Sequence, residues 1–95
     1  NDLKNIYLIG LAFKEDTDDI RCSPTIFVHE ILKSNKENVH IFDLNNESFG
    51  EYDVHNEFKE DSLIVEMFPL NQKSTTEIQD KLNQINKFKY LRYWE

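Results

Sequence analysis

Asn5-Ile6-Tyr7-Leu8-Ile9-Gly10-Leu11-Ala12 is the stretch on which the fold turns. A short, nearly unbroken apolar run of this kind is the pattern of a strand covered on both faces, because a strand with one wet face alternates polar and apolar residues. Such strands belong to parallel sheets flanked by helices. Downstream, Ser23-Pro24 offers an N-cap and a first-turn proline, and Phe27, Val28, Ile31 and Leu32 then recur at helical spacing along one face. The spacing predicts a helix of about three turns. Val39-His40-Ile41-Phe42-Asp43 follows as a second strand, after a connection long enough for a right-handed crossover, so residues 5–43 read as a βαβ unit. Ser62-Leu63-Ile64-Val65-Glu66-Met67-Phe68 is a third buried strand, and Tyr52-Asp53-Val54-His55 gives weak evidence for any element. Ser74-Thr75-Thr76-Glu77 has capping-box form, with Ile78, Leu82 and Ile85 continuing at i, i+4 and i+7. The aromatic-rich Phe88–Trp94 segment closes the chain as a last strand, and Asn45 to Glu60 is polar enough for a long loop bearing a short extra element. The expected fold is α/β: a three-layer α/β/α, open, mostly parallel sheet of Rossmann-like type, one domain over 1–95. In such sheets ligands sit beyond the carboxyl ends of the strands, here after Ala12, Asp43 and Phe68.

Composition narrows the function. At 95 residues and 39% hydrophobic content the chain supports one core. A formal net charge of -7 repels a nucleic-acid backbone, so DNA and RNA are not expected partners. No apolar run approaches the roughly 18 to 20 residues of a membrane span. The start Asn1-Asp2-Leu3-Lys4 lacks the basic and apolar regions of a signal peptide, and the chain reads as cytoplasmic. Cys22, the lone cysteine, makes no internal disulfide and no thiolate metal framework. With Gly10 and Gly50 as the only glycines, neither a G-x-G-x-x-G loop nor a P-loop can be written.

The chemically informative stretch is Gly10-Leu11-Ala12-Phe13-Lys14-Glu15-Asp16-Thr17-Asp18-Asp19-Ile20-Arg21-Cys22-Ser23-Pro24, which joins the first strand to the first helix. It supplies a small-residue exit, an aromatic at Phe13, cations at Lys14 and Arg21, and the free amides of a helix N-terminus, all parts an anionic ligand could use. A solvated turn whose acids and bases pair locally accounts for the same residues without a ligand.

This run closely resembles the signature of the C-terminal domain in the UDP-glucose/GDP-mannose dehydrogenase family, roughly G-x-x-F-K-x-x-T-D-D-x-R-x-S-P. Gly10, Phe13, Lys14, Thr17, Asp18, Asp19, Arg21, Ser23 and Pro24 match in register. Ile41-Phe42-Asp43 and Asp61-Ser62-Leu63-Ile64-Val65 are similar to the family's following strands, while the middle loop matches poorly. The resemblance implies a parent enzyme that oxidises a sugar C6 alcohol to a carboxylate in two NAD-linked steps through a cysteine thioester. An N-terminal domain of that parent would bind NAD, a helical middle domain would carry the nucleophile and the homo-oligomer contacts, and this domain would close over the nucleotide-sugar, UDP-linked by expectation. Carried over by position, Phe13 and Lys14 bind substrate, with Lys14 near the diphosphate, and Arg21 approaches the NAD diphosphate. Asp18 and Asp19 orient the loop rather than act as acid and base. The family's terminal Asp-Gly-Arg-Asn turn is replaced by Tyr90-Leu91-Arg92-Tyr93, which leaves Arg92 as the remaining substrate contact and removes a glycine.

No catalytic residue and no metal ligand is expected within the chain. Cys22 has no base with reason to lie beside it. His29, His40 and His55 share no metal-ligand spacing, and Asp16, Asp18 and Asp19 are read as partners of Lys14 and Arg21. Asp43 with Asp18 and Asp19 resembles a phosphoacceptor pocket in outline only. A second reading remains: a non-catalytic protein-interaction module that keeps the fold and uses the aromatic cluster Tyr90, Tyr93 and Trp94.

Overall fold

A computed structural model of the chain describes residues 3–10, 24–44, 48–49 and 52–93. The elements in chain order are β1 (Asn5–Ile9), α1 (Pro24–Ser34), β2 (Val39–Phe42), β3 (Ser48–Phe49), β4 (Tyr52–His55), β5 (Ser62–Glu66), α2 (Gln72–Leu82) and β6 (Phe88–Arg92). They form one sheet in the order β3-β4-β2-β1-β5-β6, parallel throughout except for the antiparallel β3–β4 pair. β1 is central, as its apolar run predicts. Tyr7 pairs in register with His40 on one side and Ile64 on the other, so these three side chains share a face of the sheet.

That face carries the main core. Tyr7, Ile9, Phe42, Phe58, Ile64, Ile78 and Leu82 form one buried cluster, with Leu44, Leu70, Ile85 and Tyr90 packed at its margin. α2 contributes Ile78 and Leu82, four residues apart and hence on one stripe. On the opposite face Leu8 and Ile41 are fully buried, beside α1, which packs on β1 and β2. One helix on each face gives the three-layer arrangement.

Local details depart from the sequence reading in two places. α2 is capped by Asn71, whose side chain accepts from the Ser74 amide at 2.8 Å, so the helix begins before the Ser74–Glu77 box. In α1 the covered residue is Thr25, whereas Phe27 and Ile31, expected on the core stripe, are 66% and 45% exposed. Nothing in the sequence separates one apolar flank of that helix from the other. The polar segment Asn45 to Glu60 holds β3 and β4, and Tyr52–His55, which the sequence assigns to no element, is a strand paired in parallel with β2.

The passage from β4 to β5 spans residues 56–61, too few for a crossover helix. It runs instead as a non-helical strap that plugs Phe58 into the core. Phe58 stacks on Phe42 at 4.2 Å between ring centroids and meets Tyr7 edge-on at 5.1 Å. Asp61, at φ 60°, turns the strap into β5, and its carbonyl accepts from the amides of Lys4 and Asn5.

Under the strap the sheet brings together two histidines that lie far apart in sequence. The rings of His40 and His55 are 4.7 Å apart, with Tyr7 5.0 Å from His40. Nε2 of His40 is buried and makes no hydrogen bond among the described residues. Burial, reinforced by the positive charge of His55, Lys59 and His29, holds His40 below the ordinary imidazole range. The unfolded chain then takes up this proton first. Stability is fully present above the unfolded value of about 6.5 and is lost as pH falls through it toward the depressed folded value. Urea midpoints measured from pH 7.5 down to pH 5 should fall, and His40→Gln should flatten that slope.

Candidate functional site

The carboxyl edge of the sheet is organised around the exit of β1. Gly10 has φ +103°, a conformation that L side chains rarely adopt. A Cβ built on it would lie 2.9 Å from Cδ2 of Phe68, so the Phe68 ring beyond β5 needs the bare glycine. The Gly10 amide donates to the Phe42 carbonyl at 2.9 Å, and its own carbonyl accepts the hydroxyl of Thr25 in the first turn of α1. Thr25 is fully buried. Gly10 and Thr25 are thereby held against each other at the ligand edge, with the amide end of α1 opening beside them.

Phe13, Lys14 and Arg21, the loop residues that the sequence selects for substrate and cofactor, lie outside the described residues, as do Asp16, Asp18, Asp19 and Cys22. Arg92, the fourth, is described. It ends β6 beside a cleft of about 520 Å³ between α2 and the sheet. Asp43 follows β2, half-buried, and its amide donates to the His55 carbonyl at 3.2 Å. Among the described residues no three His, Cys, Asp or Glu side chains gather as a metal site, and no helix is long and apolar enough to cross a membrane.

Sequence reasoning passed over the cleft's main polar group, Glu66. It ends β5 on the same face as Ser62 and Ile64 and is 4% exposed. The Tyr90 hydroxyl donates to its Oε1 at 2.5 Å, and Nε of Arg92 stands 3.6 Å from its Oε2. Burial first, then the hydrogen bond and charge of Glu66, drive the Tyr90 phenol above its ordinary range, so it stays a donor. The signal was available: a carboxylate inside the apolar Ser62–Phe68 run must find partners. Those partners, Tyr90 and Arg92, sit two residues apart on the neighbouring strand, where β5–β6 pairing matches Glu66 with Arg92.

An open, mostly parallel sheet with a helix on each face defines an α/β domain of Rossmann-like class. Over residues 7–89 the chain matches the UDP-glucose/GDP-mannose dehydrogenase family, UDP binding domain, and it belongs to that family. Comparison with curated proteins and with solved structures gives no match.

Two substitutions test this edge. Gly10→Ala meets both the left-handed backbone and the Phe68 ring, and should lower unfolding stability by about 1–3 kcal/mol in urea denaturation. Tyr90→Phe leaves a buried carboxylate short of a donor and should lower it by about 1–3 kcal/mol.

Proposed function

We propose that this chain is the nucleotide-sugar-binding domain of an NAD-dependent nucleotide-sugar 6-dehydrogenase, inert by itself, acting on UDP-glucose or a UDP-N-acetylhexosamine. Family membership carries the reading, and the loop whose ends Gly10 and Thr25 tie together at the sheet's carboxyl edge supports it. Phe13 and Lys14 on that loop face the nucleotide-sugar, Lys14 neutralising diphosphate charge, while the amide end of α1 adds fixed donors of the same sign. Arg92 approaches from the end of β6. Its guanidinium is aimed by Glu66, which fixes the direction from which a ligand would be met.

Residues 1–95 offer no glycine-rich dinucleotide loop, so NAD belongs to another domain of the parent, with Arg21 reaching toward its diphosphate. Bound there, it would accept hydride from the sugar. The part left to this chain is to hold the nucleotide end still while that happens. The parent is a cytoplasmic homo-oligomer in this reading.

Titration of the chain and of the full-length parent with UDP, GDP and UDP-sugars, followed by amide NMR, should move Gly10 and Thr25 together with Phe13, Lys14 and Arg21. Silence of all five residues in the parent rejects the reading. The exposed side chains of Leu91 and Tyr93 favour the interaction module as the second reading. It gains if Tyr93→Ala with Trp94→Ala spares catalysis in the parent and abolishes capture of a protein partner.

A further inference from the structure

The two helices leave one quarter of the sheet uncovered. α1 lies over β1 and β2 on one face, and α2 with the Phe58 strap covers the other. Alternation along the strands puts Leu63 and Val65 of β5, with Lys89 and Leu91 of β6, on the α1 face, in register with Ile6 and Leu8 of β1. Among the described residues no helix packs on that side of β5 and β6. Leu63 and Val65 are half-buried, while Leu91 and, just past the strand, Tyr93 are exposed. The uncovered strip from β5 to β6 is about 10 Å wide, the diameter of one helix. It forms a groove with strands for a floor and α1 for a wall.

The wall is apolar as well. Thr25, Val28, His29 and Leu32 form the inner side of α1, buried or half-buried, whereas Phe27 and Ile31 are exposed. In a right-handed crossover from β1 to β2, a helix with that inner side turns Phe27 away from the sheet and Ile31 toward β5. The exposed stripe of α1 and the uncovered strands therefore lie on one continuous surface. This surface is too open to enclose a small molecule, and a net charge of -7 is repelled by an anionic lipid leaflet. What its floor accepts is an apolar helical ridge, and the chain carries such a ridge beside the groove.

We propose that two copies of this chain associate through this quarter about a two-fold axis parallel to the strands. Each copy lays the Phe27 and Ile31 stripe of its α1 on the Leu63, Val65 and Leu91 floor of the other. That axis sets the two α1 helices side by side in one layer between the two sheets, and an isologous contact of this kind closes at two copies. Charge agrees with the arrangement. Glu30, exposed on the outer side of α1, faces the strand of the other copy that carries the exposed Lys89, and the two-fold repeats the pair. The inference goes beyond the nucleotide-sugar reading and does not rest on it.

Sedimentation equilibrium of the chain, from micromolar to millimolar concentration, should show the mass rising from that of one copy to that of two. Leu91→Lys and Phe27→Lys each put a charge into the apolar contact at a position exposed in the single copy, and each should weaken association by about tenfold or more while the circular dichroism of the fold is retained. Phe88→Lys, on the α2 face of β6, should leave association unchanged. Copies carrying Phe27→Cys, mixed with copies carrying Leu91→Cys and both with Cys22→Ser, should form a disulfide-linked pair. A chain that keeps the mass of one copy throughout overturns the proposal. So does a dimer that survives both lysine variants or yields no cross-link, which is the result expected of pairing through the β6 edge instead. Nucleotide binding is read separately at Gly10 and Thr25, so neither result decides the other.

Discussion

The structure hangs on the way the chain leaves its central strand. At Gly10 the backbone takes a left-handed turn that a side chain would resist, and the space a Cβ would need is filled by the ring of Phe68 from the neighbouring strand exit. The carbonyl released by that turn is taken by Thr25, a fully buried hydroxyl in the first turn of α1. Two strand ends and a helix start are thus referred to one residue without a side chain. The central strand and the crossover helix hold their relation through the backbone of Gly10 and the hydroxyl of Thr25.

Charge is placed under the same discipline. Parallel sheets are apolar on both faces, yet β5 ends in a carboxylate with almost no access to water. Glu66 is tolerable there because the adjacent strand pairs Arg92 with it and brings Tyr90, two residues earlier, within reach, one supplying a positive charge and the other a hydroxyl. Around the strap the other carboxylates turn outward: Glu57 pairs with Lys81 at 3.0 Å, and Glu60 accepts the amides of Asn86 and Lys87. The histidines of the strap's inner side are left among aromatic rings, while the acids serve the helix and the turn that follow.

What the sequence reveals, and what it hides, follows from the range of the interactions. β1, β2 and β5 were legible because each is a continuous apolar run, and burial on both faces depends on the strand's own residues. α2 was legible as an amphipathic stripe but not at its start, since Asn71 and Ser74 both have the chemistry of a cap and only the geometry chooses Asn71. The orientation of α1 was hidden. Phe27 and Ile31 have the spacing of a core stripe, but the small Thr25 takes the covered place because its hydroxyl has a buried carbonyl to meet. The pairing of His40 with His55, and of Glu66 with Tyr90 and Arg92, is set by which strands become neighbours. Periodicity within one strand carries no information about that. The loop signature at Phe13, Lys14 and Arg21 was legible as a resemblance, and Arg92 was the one member of the predicted set on a described strand, where the partner that positions it was unforeseen.

The strap between β4 and β5 has a bearing on the order in which this molecule assembles. β1 and β2 are joined through a local helical unit and can meet early, whereas β4 and β5 flank them from opposite sides with only residues 56–61 between. So short a bridge has no slack, and Phe58 can seat only on rings contributed by a β1–β2 pair that already exists. Closure of the strap is therefore a late, cooperative event. Contacts distant in sequence are rewarded only after the loop entropy has been spent, so β5 and β6 should be the last strands to gain protection during refolding.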